Sequence, residues 1–291
     1  MMPQMEVGYA LNPGDMSWKG FDKFGEVMVY DRTPKDKILE RIKDAEAVLI
    51  NKTPLNRKTL EKLHNLKYIG VLATGYNMVN IEVAVKRGIA VTNITGYSTD
   101  AVAQMVIALL LELCHHAGDH SREVKAGAWS ASKDFAFWNY PLVELKEKTI
   151  GIIGFGQIGS AGARLAKAFG MNILYNSRLK KGYAKDSNAI YTDLDSLIEQ
   201  SDVISLNCPL TDETRNLINK ETLEKMKKSS FLINTARGPI VNENNLAEAL
   251  NTGIIAGAAV DVLSREPADK ENPLLSAKNC IITPHIAWAT K

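Results

Sequence analysis

Cysteine is scarce in this sequence: the three thiols, Cys114, Cys208 and Cys280, stand far apart among 291 residues. An odd number of scattered cysteines does not form a disulfide framework. No CxxC or Cys/His pair has the spacing of zinc ligands, so no metal site is expected. We therefore expect a reduced, cytoplasmic protein whose chemistry uses no bound metal.

A large excess of one charge and long apolar runs are also missing. The formal net charge is only +2, which does not predict nucleic acid or an acidic membrane as a partner. The longest apolar stretch, 101–114, is too short to cross a bilayer and contains Gln104 and Glu112. Its start also lacks the pattern of a signal peptide. These features indicate a soluble globular protein.

Short apolar segments alternate with helical patterns, which predicts a parallel α/β architecture. A first series of predicted strands comprises Val27–Tyr30, Ala47–Ile50, Tyr68–Val71 and Ala90–Thr92. A second series comprises Thr149–Ile153, Asn172–Tyr175, Val203–Asn207, Phe231–Asn234, Ala256–Val260 and Cys280–Thr283. The length of the chain is sufficient for two domains with separate cores.

A long helix is predicted from Thr99 to about Cys114, followed by a loop-like stretch, Arg122–Tyr140, that is rich in aromatic residues. These aromatics are Trp129, Phe135, Phe137, Trp138 and Tyr140. So much aromatic surface is not left in water. It forms either a satellite core under the loop or a contact between two copies of the chain. Poor periodicity and aromatic enrichment favour the contact, so we expect a homodimer.

A glycine-rich turn joins the first strand of the second series to a predicted helix over 157–169. Its predicted cofactor contacts are Gly154, Gly156, Gln157, Ile158 and Gly159. The first glycine permits the tight turn, the second lets backbone approach a pyrophosphate, and the third lets helix and strand pack closely. Backbone N–H groups and the positive helix end then hold the phosphates. This context predicts a dinucleotide site.

The end of the next strand indicates which dinucleotide is accepted. A carboxylate there accepts from the ribose hydroxyls of NAD and repels a 2′-phosphate. This chain instead has Asn176, Ser177 and Arg178, followed by Lys180 and Lys181. Because Arg offers a planar fork to phosphate, we predict NAD(P)(H) with a preference for NADP(H). The alternative interpretation is that these cations are a solvated surface run.

Four further segments carry a family resemblance: Val71–Asn80 with Thr74-Gly75-Tyr76-Asn77, Ile233–Glu243 with Arg237-Gly238-Pro239, Asp261–Pro267, and Pro284–Thr290. With the glycine turn, they make the chain resemble the D-isomer-specific 2-hydroxyacid dehydrogenases, and within them the glycerate dehydrogenase/hydroxypyruvate reductase branch. The resemblance runs from about Gly8 to the last residue. Its several motifs occur in the same order as in the family.

The resemblance implies two doubly wound parallel-sheet domains, each of α/β class. Residues 1–94, joined by 285–291, are expected to form a flavodoxin-like substrate domain. Residues 95–284 are expected to form a Rossmann dinucleotide-binding domain that carries the dimerisation loop. The active site is expected in the cleft between them, where such folds bind ligands.

The resemblance also assigns catalytic roles to Arg237, Glu266 and His285. Arg237 is implied to hold the substrate carboxylate and polarise the keto oxygen, for which a guanidinium is suited. His285 is implied to give a proton to that oxygen and to remove it in the reverse reaction, since imidazole exchanges protons near neutral pH. Glu266 is implied to orient the ring and favour its charged form. Each residue alone also has an ordinary structural interpretation.

The remaining site residues follow from the same resemblance. Cofactor contacts are implied for Cys208, Pro209, Thr214, Thr235, Ala236 and Asp261, the last through the nicotinamide carboxamide. Thr74 and Gly75 are implied to bind the substrate carboxylate through backbone N–H groups. Lys52 either adds positive charge to the same cleft or is a solvated lysine. Trp288 is expected to cap the substrate, and Trp138 to do so from a neighbouring subunit.

The implied reaction is reduction of hydroxypyruvate or glyoxylate by NAD(P)H to the D-2-hydroxy acid, glycerate or glycolate. One alternative is a D-3-phosphoglycerate dehydrogenase-like enzyme. Another is a truncated nucleotide-binding or corepressor-like protein without turnover. The family carries a terminal helix that this sequence lacks after His285, and the expected first strand contains Pro3, Gln4 and Glu6. We therefore expect a less stable fold.

Overall fold

The computed structural model describes residues 4–8, 17–178 and 187–290. The chain divides into two compact units, Met1–Tyr97 and Ser98–Lys291. The predicted domain boundary at 94/95 falls close to this division. The end of the chain, expected to join the first domain, instead clusters with the second unit. The functional assignment of the two domains stays a prediction. The two predicted cations Lys180 and Lys181 lie outside the described residues.

The first unit is built on a five-stranded parallel sheet. Its strands are β1 Gln4–Gly8, β2 Glu26–Tyr30, β3 Ala47–Ile50, β4 Tyr68–Val71 and β5 Ala90–Asn93. Their order, β2-β1-β3-β4-β5, is that of a flavodoxin-like sheet. The helices are α1 Ile38–Ile42, α2 Arg57–Leu60 and α3 Ile81–Lys86, with 3-10 turns at Trp18–Phe24 and Lys35–Lys37. The doubly wound architecture predicted for this part of the chain is therefore confirmed.

Strand β1 is the element that the sequence pattern described least well. Its letters include Gln4 and Glu6, yet it pairs with β2 on one side and β3 on the other. Pairing on both sides satisfies the backbone N–H and C=O groups whatever the side chains are. Apolar patterning is therefore a weaker guide to this strand than its place in the sheet.

The second unit is built on a seven-stranded parallel sheet. Its strands are β6 Thr149–Ile153, β7 Asn172–Asn176, β8 Ile190–Tyr191, β9 Val203–Leu206, β10 Phe231–Asn234, β11 Gly257–Val260 and β12 Cys280–Ile282. Their order, β12-β11-β10-β9-β6-β7-β8, reverses beside β6, as in a Rossmann domain. The six predicted strands match within one or two residues, and the short β8 was not predicted. All seven carboxyl ends meet at one edge, so the turns after these strands lie together.

Helices cover both faces of this second sheet. They are α4 Thr99–His115, α5 Ala117–Lys125, α6 Gln157–Ala168, α7 Leu194–Gln200, α8 Lys220–Lys225 and α9 Glu243–Thr252, with 3-10 turns at Gly238–Ile240 and Pro273–Ser276. One core joins α4 and α6 to the sheet, and the other joins α7, α8 and α9. Burial on both faces explains why the central strands β6, β9, β10 and β11 are continuous runs of buried residues rather than alternating ones.

The predicted loop over 122–140 is partly wrong, because residues 122–125 are the end of α5. His116, in the left-handed conformation with φ 48°, ends α4 and starts α5 in a new direction. Among the described residues, no single helix has the length and apolar character of a membrane span. Only α4 and α5 taken together reach them, across a 56° bend. Eight residues of α4 are buried inside the unit.

Candidate active site

The glycine turn after β6 has the geometry that its sequence predicts. Gly154 has φ +94°, and a Cβ there would lie 2.5 Å from the backbone nitrogen of Cys208. A Cβ on Gly159 would clash with the carbonyl oxygen of Gly154. The first and third glycines are thus required by packing between this turn, α6 and the loop after β9.

The second glycine is different, and its surroundings fit a dinucleotide. Gly156 is the N-cap residue of α6 and has no side chain to cap the helix. A Cβ at Gly156 would meet nothing within 4 Å. Gln157 and Ile158 follow it as the first residues of the helix, whose N–H groups and dipole favour an anion. This open, bare helix start is a suitable cradle for a pyrophosphate.

The three residues at the end of β7 are not equivalent. The side-chain amide of Asn176 donates to the carbonyl oxygen of Thr192 at 2.9 Å, so it holds the neighbouring chain. Ser177 is half-buried and Arg178 is exposed. The pKa of Glu213 is lowered, mainly because the Thr211 hydroxyl donates to its carboxylate and to a smaller extent because Arg178 is nearby. The charge of Arg178 therefore lies within electrostatic reach of the loop after β9.

That loop carries three predicted cofactor contacts. Cys208 is buried, and burial raises the pKa of its thiol to about 11. The thiol is thus protonated at neutral pH, as suits a wall rather than a nucleophile. Pro209 is exposed, and its carbonyl oxygen accepts from the Thr214 hydroxyl at 2.7 Å. Thr214 also accepts from the backbone N–H of Thr211 at 2.8 Å, so its hydroxyl shapes the loop.

Arg237 projects from a tight turn that follows β10. Its guanidinium Nη1 donates to the carbonyl oxygen of Ala236 at 2.6 Å. Thr235 precedes Ala236, and its buried hydroxyl has no hydrogen-bond partner among the described residues. A Cβ on Gly238 would clash with the backbone of Leu263 and Ser264. Because Gly238 has no side chain, the turn that carries Arg237 packs directly on the loop that leads to Glu266.

His285 and Glu266 form a direct pair. The ring Nδ1 of His285 lies 2.9 Å and 2.7 Å from the two carboxylate oxygens of Glu266. Since a carboxylate accepts, Nδ1 carries the hydrogen, and Nε2 is the nitrogen on the other side of the ring. Glu266 also accepts from the backbone N–H of Leu263 at 3.3 Å, and a cis peptide bond joins it to Pro267.

Asp261 holds the turn that carries His285. Its carboxylate, on a residue that is 1% exposed, accepts from the hydroxyl of Thr283 at 2.6 Å and from the N–H groups of Ile286 and Ala287 at 2.9 Å. Its carbonyl oxygen accepts from the N–H of His285 at 2.8 Å. His285 has φ +56°, a conformation that a non-glycine residue keeps only when its surroundings fix it. The predicted contact of Asp261 with a carboxamide stays a prediction.

Trp288 contributes to the same turn. Its indole N–H donates to the carbonyl oxygen of His285 at 2.8 Å, so the side chain folds back on the histidine. We expected a cap over the substrate, and this role also stays a prediction. Sequence analysis did not identify Thr283 or Asn234 as contributors. The signal for Asn234 was a polar residue at the end of the apolar strand β10. A polar group that is buried with such a strand needs a hydrogen-bond partner.

The predicted substrate residues of the first unit lie at the carboxyl edge of its sheet. Lys52 follows β3, is exposed and has φ 60°. Thr74 and Gly75 follow the neighbouring strand β4. The Thr74 hydroxyl donates to the carbonyl oxygen of Ile94 at 3.0 Å, and the amide of Asn93 donates to the carbonyl oxygen of Thr74 at 2.8 Å. These bonds hold the loop after β4 against the end of β5, and carboxylate binding there stays a prediction.

The aromatic stretch of the second unit divides into packed and exposed residues. Tyr140 stacks on His116 with ring centroids 4.1 Å apart. Phe135 and Trp138 are 93% and 68% exposed, and Trp129 is 52% exposed. The satellite-core interpretation therefore explains Tyr140 and leaves three large aromatic side chains in solvent.

Comparison with known proteins places this geometry in a family. A sequence model described as D-isomer specific 2-hydroxyacid dehydrogenase, NAD binding domain, matches residues 107–287. The chain is 50% identical over 287 residues to a hydroxypyruvate reductase of Blautia hydrogenotrophica, covering 98% of this chain and 89% of that one. It is 39% identical to a glycerate dehydrogenase of Methylorubrum extorquens over 280 residues, 95% of this chain and 87% of that one.

A solved structure gives the same result. The NADPH-dependent glyoxylate/hydroxypyruvate reductase of Sinorhizobium meliloti, in complex with NADP and malonate, superposes with a TM-score of 0.87. The match covers 100% of this chain and 88% of that one at 29% identity. The expected resemblance is confirmed: the chain belongs to the D-isomer-specific 2-hydroxyacid dehydrogenase family.

Proposed function

We propose that this enzyme reduces hydroxypyruvate or glyoxylate with NAD(P)H to the corresponding D-2-hydroxy acid. The observation that carries the proposal is the His285–Glu266 pair, with Nδ1 2.7 Å from a carboxylate oxygen. The pair follows the strands of a Rossmann sheet at the same edge as the glycine turn. Similarity to hydroxypyruvate reductase and glycerate dehydrogenase supports this substrate class.

The proposed mechanism uses three side chains of the second unit. When bound, the reduced nicotinamide supplies a hydride to the keto carbon. Glu266 holds the Nδ1 hydrogen of His285, so the ring gives a proton from Nε2 to the keto oxygen as the C=O double bond is reduced. Arg237 binds the substrate carboxylate and stabilises negative charge on that oxygen. Hydride and proton together convert the keto acid into the hydroxy acid.

Several other residues are proposed to hold the cofactor. Gly154, Gly156, Gln157, Ile158 and Gly159 would hold the pyrophosphate, while Cys208, Pro209, Thr214, Thr235 and Ala236 would line the ribose and nicotinamide. A carboxylate has about four acceptor sites, and the described residues occupy three on Asp261, which leaves one direction for the carboxamide.

We also propose that NADP(H) is preferred over NAD(H). Among the residues at the end of β7, Asn176 is tied to Thr192, while Ser177 and Arg178 are suited to a 2′-phosphate. Replacing Arg178 by Ala should raise the KM for NADPH by about 10-fold or more and leave that for NADH nearly unchanged. Glu213→Gln, which removes a negative charge facing Arg178, should strengthen NADPH binding. Equal effects on both cofactors would contradict the preference.

A homodimer is proposed from the exposed aromatic side chains Trp129, Phe135 and Trp138. Covering them with a second copy would remove large apolar surfaces from water. Trp138 of one copy is then proposed to contact the substrate bound by the other. Trp288, Thr74, Gly75 and Lys52 are each proposed as substrate contacts. Sedimentation equilibrium should give a dimer, and Phe135→Glu should shift it to monomer. We propose a cytoplasmic location, compatible with three free thiols.

The decisive experiment measures keto-acid reduction with both reduced cofactors over a substrate panel. His285→Gln should lower kcat by about 10²–10⁴-fold, because a general acid contributes that much. The exposed His64 provides the matched control, since His64→Gln should leave kcat unchanged. Cofactor binding without turnover of any 2-keto acid would instead support a binding protein.

A further inference from the structure

Asn234, at the end of β10, has a buried side-chain amide. Its oxygen and its nitrogen both form hydrogen bonds to the turn that carries Arg237. Asn234 is 1% exposed. Its Oδ1 accepts from the backbone N–H of Ala236 at 3.0 Å, and its Nδ2 donates to the carbonyl oxygen of Arg237 at 2.9 Å. Its own carbonyl oxygen accepts from the N–H of Asp261 at 2.9 Å. One side chain thus closes the turn from both sides.

These bonds control where the guanidinium lies. Oδ1 of Asn234 holds the Thr235–Ala236 peptide through its N–H. The next peptide, Ala236–Arg237, carries the carbonyl oxygen that accepts from Nη1 of Arg237 at 2.6 Å. A rotation of that peptide would move the carbonyl group and the guanidinium with it. The Arg237 carbonyl oxygen, held by Nδ2, fixes the other side of the residue. Asn234 therefore holds the backbone on both sides of the peptide that binds the guanidinium of Arg237.

We propose that Asn234 is a positioning residue for Arg237 in keto-acid reduction. The proposal rests on the role of Arg237 proposed above. An amide suits this position because it offers one acceptor and two donors without a charge. Leucine would fill the space without either bond, and aspartate would place an acceptor against the carbonyl oxygen of Arg237. A misplaced substrate-binding group lowers the rate even when its chemistry is intact.

The test is a double-mutant cycle with Asn234→Ala, Arg237→Ala and the double variant. Asn234→Ala should lower kcat/KM by about 10–100-fold, because a displacement of about 1 Å can cost that much. The loss should be seen mainly in the KM for the keto acid, with little change in the dissociation constant of NADPH measured by fluorescence. In the Arg237→Ala background the second substitution should have almost no further effect. Asn234→Ser, which returns a hydroxyl to the turn, should recover part of the activity.

One control variant separates this role from a general loss of stability. Asn219 caps α8 in the same unit, with Oδ1 accepting from the N–H of Thr222 at 3.1 Å. Asn219→Ala should lower the unfolding temperature and leave the KM unchanged. If Arg237→Ala keeps full activity, the proposed function of Arg237 is wrong. If Arg237→Ala is impaired and the two substitutions multiply independently, the positioning role of Asn234 is overturned alone.

Discussion

The turns after β6 and β12 lie at the same edge of one sheet and are built in opposite ways. The turn after β6 is bare backbone, open at Gly156. The turn after β12 is held by side chains, with Asp261 accepting three hydrogen bonds and Trp288 donating one. A phosphate needs close access to N–H groups, whereas an acid/base ring needs a fixed orientation. The difference teaches that one sheet edge supplies binding and chemistry through different residue types.

The largest effect is expected for a substitution that loosens the turn after β12, which carries His285. Glu266→Gln should lower kcat for reduction by about 100-fold, because the carboxylate holds the Nδ1 hydrogen and orients the ring. Without the second carboxylate oxygen, the side chain no longer accepts from Nδ1 at both positions, so the ring loses part of its fixed orientation. The measurement is kcat for keto-acid reduction by wild type and variant. Glu271→Gln, on an exposed residue outside the pair, is the control. An unchanged kcat would exclude Glu266 from this role.

The proposed role of the turn after β6 in binding the pyrophosphate is tested by Gly156→Ala. A Cβ at Gly156 has space in the fold but occupies the approach of the pyrophosphate, so the affinity for NADPH should fall by about 10-fold with little change in unfolding temperature. A Cβ added to Gly162, on the same helix, would also have no atom within 4 Å. Gly162→Ala should raise stability by roughly 0.5–1 kcal/mol and leave affinity unchanged. Equal affinities in both variants would remove Gly156 from the site.

A smaller effect is expected for Trp288→Phe. The substitution keeps an aromatic ring and removes the N–H donated to the His285 carbonyl oxygen at 2.8 Å. If Trp288 holds the turn, kcat should fall by less than about 10-fold, and equally for glyoxylate and hydroxypyruvate, as loss of one hydrogen bond implies. If Trp288 caps the substrate, the KM should change more for the larger substrate. Steady-state kinetics with both acids distinguishes these outcomes.

The smallest effect is expected from a thiol reagent acting on Cys208, which lies beside the turn after β6. Burial raises the pKa of this thiol to about 11, so it carries no charge until the pH approaches that value. Because the thiolate is the nucleophile, iodoacetamide at about pH 8 should leave Cys208 unmodified and activity unchanged. Peptide mass spectrometry measures the modification. Rapid alkylation of Cys208 with loss of activity would mean that the loop after β9 exposes this thiol to solvent.

Local patterns predicted much of this molecule. Six of the seven strands of the second sheet were predicted within one or two residues, because its central strands are buried on both faces and are continuous apolar runs. Strand β1 and helix α5 were harder to predict, since β1 contains polar residues and α5 is a short helix with no buried residue. The catalytic trio was predicted by family resemblance, and the structure brings two of its members, Glu266 and His285, into contact.

What the chain encodes locally is the alternation of strands and helices, the glycine turn and the residue types suited to an acid/base reaction. Tertiary structure alone decided that Asp261 would hold Ala287, which stands 26 positions later, and that Gly238 would touch the backbone of Leu263. Strand order decided that β1 lies inside its sheet. The physical reason is that periodicity and turn chemistry act between near neighbours, whereas these contacts exist only after parallel strands have brought distant turns to one edge.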